Sequence, residues 1–351
     1  MALIQPMTPW SVHVLVLRDS TSLVPIGFVD TLRKSADLAH SKGDRERGVE
    51  VSLVSPSSVK TVATAGGIRL KCDSSIEEVG ASDLVLVPAL DADVLTHLEL
   101  NRPVVPWLKR MYERGTDIAS ACTGAFLLAE AGLLDGRAAT THWAFQDVFC
   151  ARYPHVRLQP EAVIVDQGRV VTAGGATSFL NLALYLVEKL LGAATARAAS
   201  KMFLIDINKS PQGAYAILGP QRSHRDEVIL RAQDLIESQI DRPVSVDAIA
   251  RDVAMSSRNF VRRFKAATGI APSKYLQRIR VEAAKRELET GRESISVIAG
   301  RVGYSDAVAF RRVFKREVGL TPLEYRSRYG VRLHKNSPFA VGFRGTDAGR
   351  C

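Results

Sequence analysis

The sequence predicts two folds in series: an α/β domain with a parallel sheet sandwiched between helices, then an all-α domain with two helix-turn-helix units. Three observations predict this. Short apolar runs alternate with helical stretches through the first two-thirds of the chain. In the last third, seven residue types recur at a fixed offset of fifty positions. Positive charge gathers on that same last third: residues 222–330 hold 22 Lys and Arg against 14 Asp and Glu, while residues 1–221 hold 21 against 22. A length of 351 residues suits two domains, and 46% apolar residues can supply two cores.

Taken in order, residues 12–17 read as a first buried strand. Residues 49–54, Leu84–Val87 ending at Pro88, Asp117–Ala121, 162–165 and Val170–Ala173 follow. Such short, nearly continuous apolar runs mark strands covered on both faces. Helical stretches fall between them, such as residues 103–114, and a long helix is expected over about 176–191. In such sheets ligands gather at the carboxyl ends of strands. One end stands out, where strand 118–121 reaches a sharp turn at Cys122 and Gly124 lets the next helix pack closely. That is the geometry of a nucleophile elbow, and a helix N-terminus there is expected to lower the thiol pKa. A small side chain filling a strand end is the plainer alternative.

In the last third, Val246, Ile249, Ala250 and Val253 have the spacing of a helix with one buried face, ending near Ala254. Ser256 is placed to cap a second helix through its hydroxyl, and Gly269 stops it. Phe260, Phe264 and Ala267 are predicted inward; Arg258, Val261, Arg262 and Lys265 outward. The second copy repeats this. Val297, Ile298 and Val302 form the first helix, Gly303 and Tyr304 the turn, and Ser305 or Asp306 the cap. Phe310, Val313 and Phe314 are predicted inward; Val308, Arg311, Arg312 and Lys315 outward. The matched pairs are Phe260 and Phe310, Arg262 and Arg312, Phe264 and Phe314, Lys265 and Lys315. Gly269 and Gly319, Pro272 and Pro322, and Tyr275 and Tyr325 complete them. Between the copies, Pro272–Thr290 has no internal Gly or Pro and is closed by Gly291. As one helix it is about 28 Å long, enough to hold two groove-reading helices about one turn of DNA apart. A helical bundle with solvated arginines is the plain alternative, and the duplicated basic face argues against it.

Cys72, Cys122, Cys150 and Cys351 form no C-x-x-C pair, so neither a zinc site nor a redox motif is predicted, and no cofactor is expected. Nothing enforces disulfides, which fits a reducing cytoplasm. Residues 1–10 lack the pattern of a secretory signal, and no apolar run near 18 residues is found, so no membrane span is predicted. Residues 331–351, rich in Gly, Ser, Asn and Arg, are expected to be a disordered tail.

The run Ile298-Ala299, Gly303-Tyr304, Phe310, Phe314-Lys315, Gly319, Thr321-Pro322, Tyr325-Arg326 resembles the signature of the AraC/XylS family of transcription regulators. The resemblance covers residues 225–330. It places base-facing positions at Arg258, Val261 and Arg262 in the first unit, and at Ala307, Val308, Arg311 and Arg312 in the second. Ala307 and Val308 are apolar there, which suits thymine methyl groups. The first domain, residues 10–205, resembles the PfpI/ThiJ-like family, also called class I glutamine-amidotransferase-like, with a flavodoxin-like sheet. The matching runs are Cys122-Thr123-Gly124, Gly132-Leu133-Leu134-Asp135-Gly136, Ala139-Thr140-Thr141-His142-Trp143 and Val171-Thr172-Ala173-Gly174-Gly175. The pair of domains is similar to GlxA-type regulators. That likeness implies a sheet domain that senses a small metabolite, amino-acid-like or a quaternary amine, near Cys122, Thr123 and His142, and that pairs two chains. It also implies double-stranded DNA and RNA polymerase as partners, with residues 206–224 as a linker. Two departures bear on catalysis: Thr123 stands where hydrolytic members have His, and Val24, in the loop 22–27, stands at the expected acid position. The alternative reading is a cysteine-dependent amidase or hydratase with a DNA-binding appendage.

Overall fold

The computed structural model describes residues 8–41, 48–175, 177–206, 212–215, 222, 224–242 and 244–330. The chain divides into two compact units, Met1–Ala216 and Ile217–Cys351.

The first unit contains strands β1 (Trp10–Leu15), β2 (Val49–Ser55), β3 (Thr61–Ala63), β4 (Arg69–Lys71), β5 (Ser74–Ser75) and β6 (Leu84–Val87). They are followed by β7 (Asp117–Ala121), β8 (Ala138–Ala139), β9 (Arg157–Leu158), β10 (Ile164–Asp166) and β11 (Val170–Ala173). Its helices are α1 (Leu23–Ser41), α2 (Val94–Leu100), α3 (Val104–Glu113), α4 (Ala125–Glu130), α5 (Gln146–Arg152) and α6 (Ser178–Phe203). Seven strands form one sheet in the order β10-β11-β7-β6-β1-β2-β5. All neighbours are parallel except β10, which runs antiparallel on β11. Parallel neighbours need crossovers, and the crossing helices cover both faces. Strand β6 shows why its sequence is apolar throughout. Leu84 and Leu86 pack with Phe28 of α1 and Phe179 and Leu182 of α6. Val85 and Val87 pack on the other face with Trp107 and Leu108 of α3 and Phe126 of α4.

Several expectations are corrected here. The predicted loop at 22–27 is the start of α1, which begins at Leu23. The strand expected over 162–165 is β10, Ile164–Asp166, because the Ala162 N–H turns back to Gln159 O. The long helix does leave helical geometry just after Leu191, as expected, but a second helical stretch follows it. Gly192, at φ 82°, breaks its course, and helical backbone resumes to Phe203. By length and composition Ser178–Met202 could cross a membrane, with mean hydropathy 1.3 in its most apolar window, contrary to the expectation of no such segment. Half of that window is buried, as in a core helix packed on a sheet.

The second unit holds α7 (Glu227–Glu237), α8 (Val246–Asp252), α9 (Ser257–Thr268) and α10 (Pro272–Thr290). Then come α11 (Ile295–Arg301), α12 (Ala307–Val318) and α13 (Pro322–Tyr329). Helices α8 and α9, and again α11 and α12, form the two turn-linked pairs. Both second helices end on glycines in the left-handed region, Gly269 at φ 78° and Gly319 at φ 81°. Ser256 does stand at the N-cap of α9, but its exposed hydroxyl makes no cap bond. Ala267 packs partly buried against the core, as predicted, and Thr268 beside it is fully buried; its hydroxyl donates to Phe264 O at 2.8 Å, which satisfies it inside. Val297 is exposed, and Ile298, Ala299 and Val302 carry the buried face. The expected tail, 331–351, lies outside the described residues, as does most of 206–224.

Candidate functional site

The predicted groove-reading helices are α9 and α12, and each is pinned by a chain of rings. Phe260 meets Phe264 with centroids 5.5 Å apart, and Phe264 meets Tyr275 at 5.4 Å. In the second copy Phe310 meets Phe314 at 5.6 Å, and Phe314 meets Tyr325 at 5.6 Å. The Tyr275 hydroxyl donates to Glu237 on α7, and the Tyr325 hydroxyl donates to Glu289 on α10 at 2.6 Å. The repeat in sequence is therefore a repeat of contacts. Helix α7 supports the first unit as α10 supports the second.

Fixing those faces inward turns the opposite faces out. Arg258, Val261, Arg262 and Lys265 are exposed on α9, as are Val308, Arg311, Arg312 and Lys315 on α12, while Ala307 is half-buried. Among the described residues, none of these Arg and Lys side chains is ion-paired with a carboxylate; Arg262 bonds only Asn259 Oδ1, at 3.0 Å. Their neighbours are neutralised. Arg263 grips Asp226 with bonds of 2.6 and 2.9 Å, and Arg316 pairs with Glu317 at 3.1 Å. Free cations thus gather on the outer faces, the arrangement that phosphate and base edges require.

The sequence reading missed Arg280. From α10 it donates to Ile240 O at 3.0 Å and Arg242 O at 2.6 Å, and its guanidinium lies 5.4 Å from the Tyr304 ring centroid. A Cβ on Gly303 would fall 2.2 Å from Ile240 O. Arg280 therefore ties the turn of the second pair to the chain preceding the first. Nothing local in sequence marks that role, because its partners lie about forty residues away.

In the first unit, Cys122 turns the chain out of β7 at φ 55°, a strained value for a residue with a side chain. Gly124 follows because a Cβ there would meet Pro88 O at 2.5 Å. The elbow is real, but the thiol expectation is corrected. Burial pushes the Cys122 thiol up to about 11, outweighing the hydrogen bonds from Thr123 that act the other way. Thr123 is itself buried, and its hydroxyl donates to Leu90 O at 2.6 Å. The Thr141 hydroxyl donates to Cys122 O at 2.9 Å. His142 Nδ1 accepts from the Ala144 N–H at 3.1 Å, closing its own turn, and burial lowers its pKa. Val24 lies in the same apolar cluster as Cys122. Cys122 and Thr123 are thus adjacent and enclosed, and the His142 bond goes to its own turn. Cavities of about 420 Å³ beside Asn181, Tyr185 and Glu188, and of about 370 Å³ beside Arg18, Thr61 and Asn101, do not reach these three residues. Among the described residues, no three His, Cys, Asp or Glu side chains gather to hold a metal.

A helical unit with two free basic reading faces, on a chain that also carries an elbow-bearing α/β unit, defines a two-domain DNA-binding transcription regulator. Residues 249–328 match the helix-turn-helix domain family, and residues 29–189 match the DJ-1/PfpI family. The HTH-type transcriptional regulator GbdR of Pseudomonas aeruginosa is 25% identical over 327 residues, covering 92% of this chain and 85% of that protein. ArgR, an HTH-type transcriptional regulator of the same organism, is 30% identical over 222 residues, covering 63% and 67%. The chain belongs to the AraC family of transcription regulators, in the group with a DJ-1/PfpI N-terminal domain. An isonitrile hydratase from Pseudomonas putida is 32% identical over 137 residues, 39% of this chain and 58% of that enzyme.

Proposed function

We propose that this regulator reads DNA through Arg258, Val261, Arg262 and Lys265 of α9 and Ala307, Val308, Arg311, Arg312 and Lys315 of α12, under control of a small metabolite bound by the first domain. The observation that carries the reading is the pair of exposed basic faces without carboxylate partners, built twice on one ring-chain scaffold. We assign metabolite sensing and pairing of two chains to residues 10–205, and DNA contact to residues 225–330. The effector is amino-acid-like or a quaternary amine, and it acts near the strand ends that carry Cys122, Thr123 and His142. The protein works in the cytoplasm, beside the chromosome and RNA polymerase. We read Cys122 as non-catalytic, supported by its burial, its raised pKa and the aliphatic Val24 at the acid position. Turnover of an amide or isonitrile that disappears in Cys122→Ser would overturn that reading.

Pairing through the first domain is tested by sedimentation and footprinting. The full chain is expected to sediment as a dimer at micromolar concentration. It should protect about twice the DNA length that residues 222–330 protect, because one such domain spans two successive groove sites. Equal footprints, or a monomer, would remove the pairing.

A further inference from the structure

Gln212 is buried in the first unit. Its side chain is buried beside the residues that follow β8 and β11, next to the Thr141 whose hydroxyl holds the Cys122 carbonyl. Its Nε2 lies 3.1 Å from Thr140 Oγ1, 3.0 Å from Thr141 O and 2.9 Å from Ala162 O. Thr140 gives its own hydroxyl proton to Ala162 O at 2.9 Å, so it faces Gln212 as an acceptor. Three acceptors thus converge on a nitrogen with only two protons. The other half of the amide fits badly: Oε1 is buried with no hydrogen-bond partner among the described residues. An unpaired buried acceptor keeps its full desolvation cost. The backbone is bare at this point, since a Cβ on Gly174 would lie 1.7 Å from Nε2.

We propose that Gln212 is a built-in occupant of an ammonium-binding site made by Thr140, Thr141 and Ala162 over Gly174, and that an effector bearing a primary ammonium group displaces it. This deepens the sensing role given above and rests on it. A primary ammonium brings three protons to three acceptors and no oxygen to be stranded. A quaternary ammonium brings none, so the site selects the primary amine from the two effector classes. The Gln212 N–H bonds Glu161 O at 2.9 Å, and the Tyr215 N–H bonds Gln212 O at 2.9 Å. Ejecting the side chain therefore loosens the short turn Gln212–Ala214 that it anchors.

Calorimetry on the full chain tests this, with n-butylammonium and N,N,N-trimethylbutylammonium as probes. Gln212→Ala is expected to bind butylammonium at least about tenfold more tightly than the unaltered protein, with no such gain for the trimethylated probe. Adding Thr140→Val should remove about tenfold again. Equal butylammonium binding by Gln212→Ala and the parent, including binding by neither, overturns the proposal, as does an equal gain for the trimethylated probe. Should Gln212→Ala fail to fold by circular dichroism, Gly174→Ala expels the same side chain from the other side. Amide exchange at residues 212 and 215 should then rise at least tenfold, and unchanged exchange overturns the proposal. DNA affinity measured on the same samples separates this site from the sensing role. Selective butylammonium binding that leaves DNA affinity unmoved keeps the site and removes the sensing.

Discussion

Cys122 shows how burial can overrule a local motif. The strand-turn-helix pattern and the glycine two residues on place the thiol on a strained elbow, and both were readable from sequence. The pKa was not, because it depends on burial, and the apolar cluster that holds Cys122 is assembled from residues as far along the chain as Val24, Phe28 and Phe179. With its pKa raised to about 11, Cys122 stays protonated at neutral pH. Iodoacetamide at pH 7.5 should label exposed Cys150 at least about a hundredfold faster than Cys122, since the thiolate is the nucleophile. Site-resolved mass spectrometry reads this, and preferential labelling of Cys122 would contradict its enclosure. Gln212 and Arg280 were illegible for the same reason as the pKa. Their partners are mostly carbonyls far along the chain, and no residue pattern announces a carbonyl.

At the scale of elements, α9 and α12 look alike but are capped differently. Asp306 accepts from the Val308 N–H at 2.8 Å and the Ala309 N–H at 3.2 Å, whereas Ser256 accepts from none. Asp306→Ala should therefore cost about 1 kcal/mol of stability, and Ser256→Ala only a few tenths. Urea unfolding of the two variants checks this, and equal losses would contradict the difference in capping. Helix α12 is also tied to α10. Glu317 is half-buried, which alone would raise its pKa, but Lys274 at 2.5 Å and Arg316 outweigh that and hold the carboxyl below its ordinary value. A carboxyl with a depressed native pKa stabilises the fold above the ordinary carboxylate range and stops doing so as pH falls through the native value. The melting temperature should thus fall below about pH 4.5, and Glu317→Gln should flatten that part of the profile while lowering stability at neutral pH. An unchanged acid limb in Glu317→Gln would contradict the role of this pair. The repeated helices were legible because their buried faces follow a local period. Helix α7 escaped notice because Gln233, at a buried position of its stripe, breaks the apolar pattern; it is tolerated there because it bonds His224. The break at Gly192 was legible as a helix end, but the resumption of helix to Phe203 and the early start of α1 at Leu23 were not.

For the molecule as a whole, charge separates the roles more sharply than composition does. The 222–330 segment carries an excess of eight positive charges, while the first 221 residues are nearly balanced. Binding to any duplex should therefore weaken steeply with salt, whatever its sequence. Base reading by the arginines of α9 and α12, as proposed, adds a sequence-dependent part to that binding. Its most direct measurement is the affinity of the full chain, unaltered and as Arg262→Ala and Arg312→Ala, for a site selected from genomic fragments and for random duplex at one salt concentration. Each substitution is predicted to cost about 1–3 kcal/mol on the selected site and far less on random DNA. Equal losses on the two DNAs would contradict base reading by these arginines and leave them as phosphate contacts.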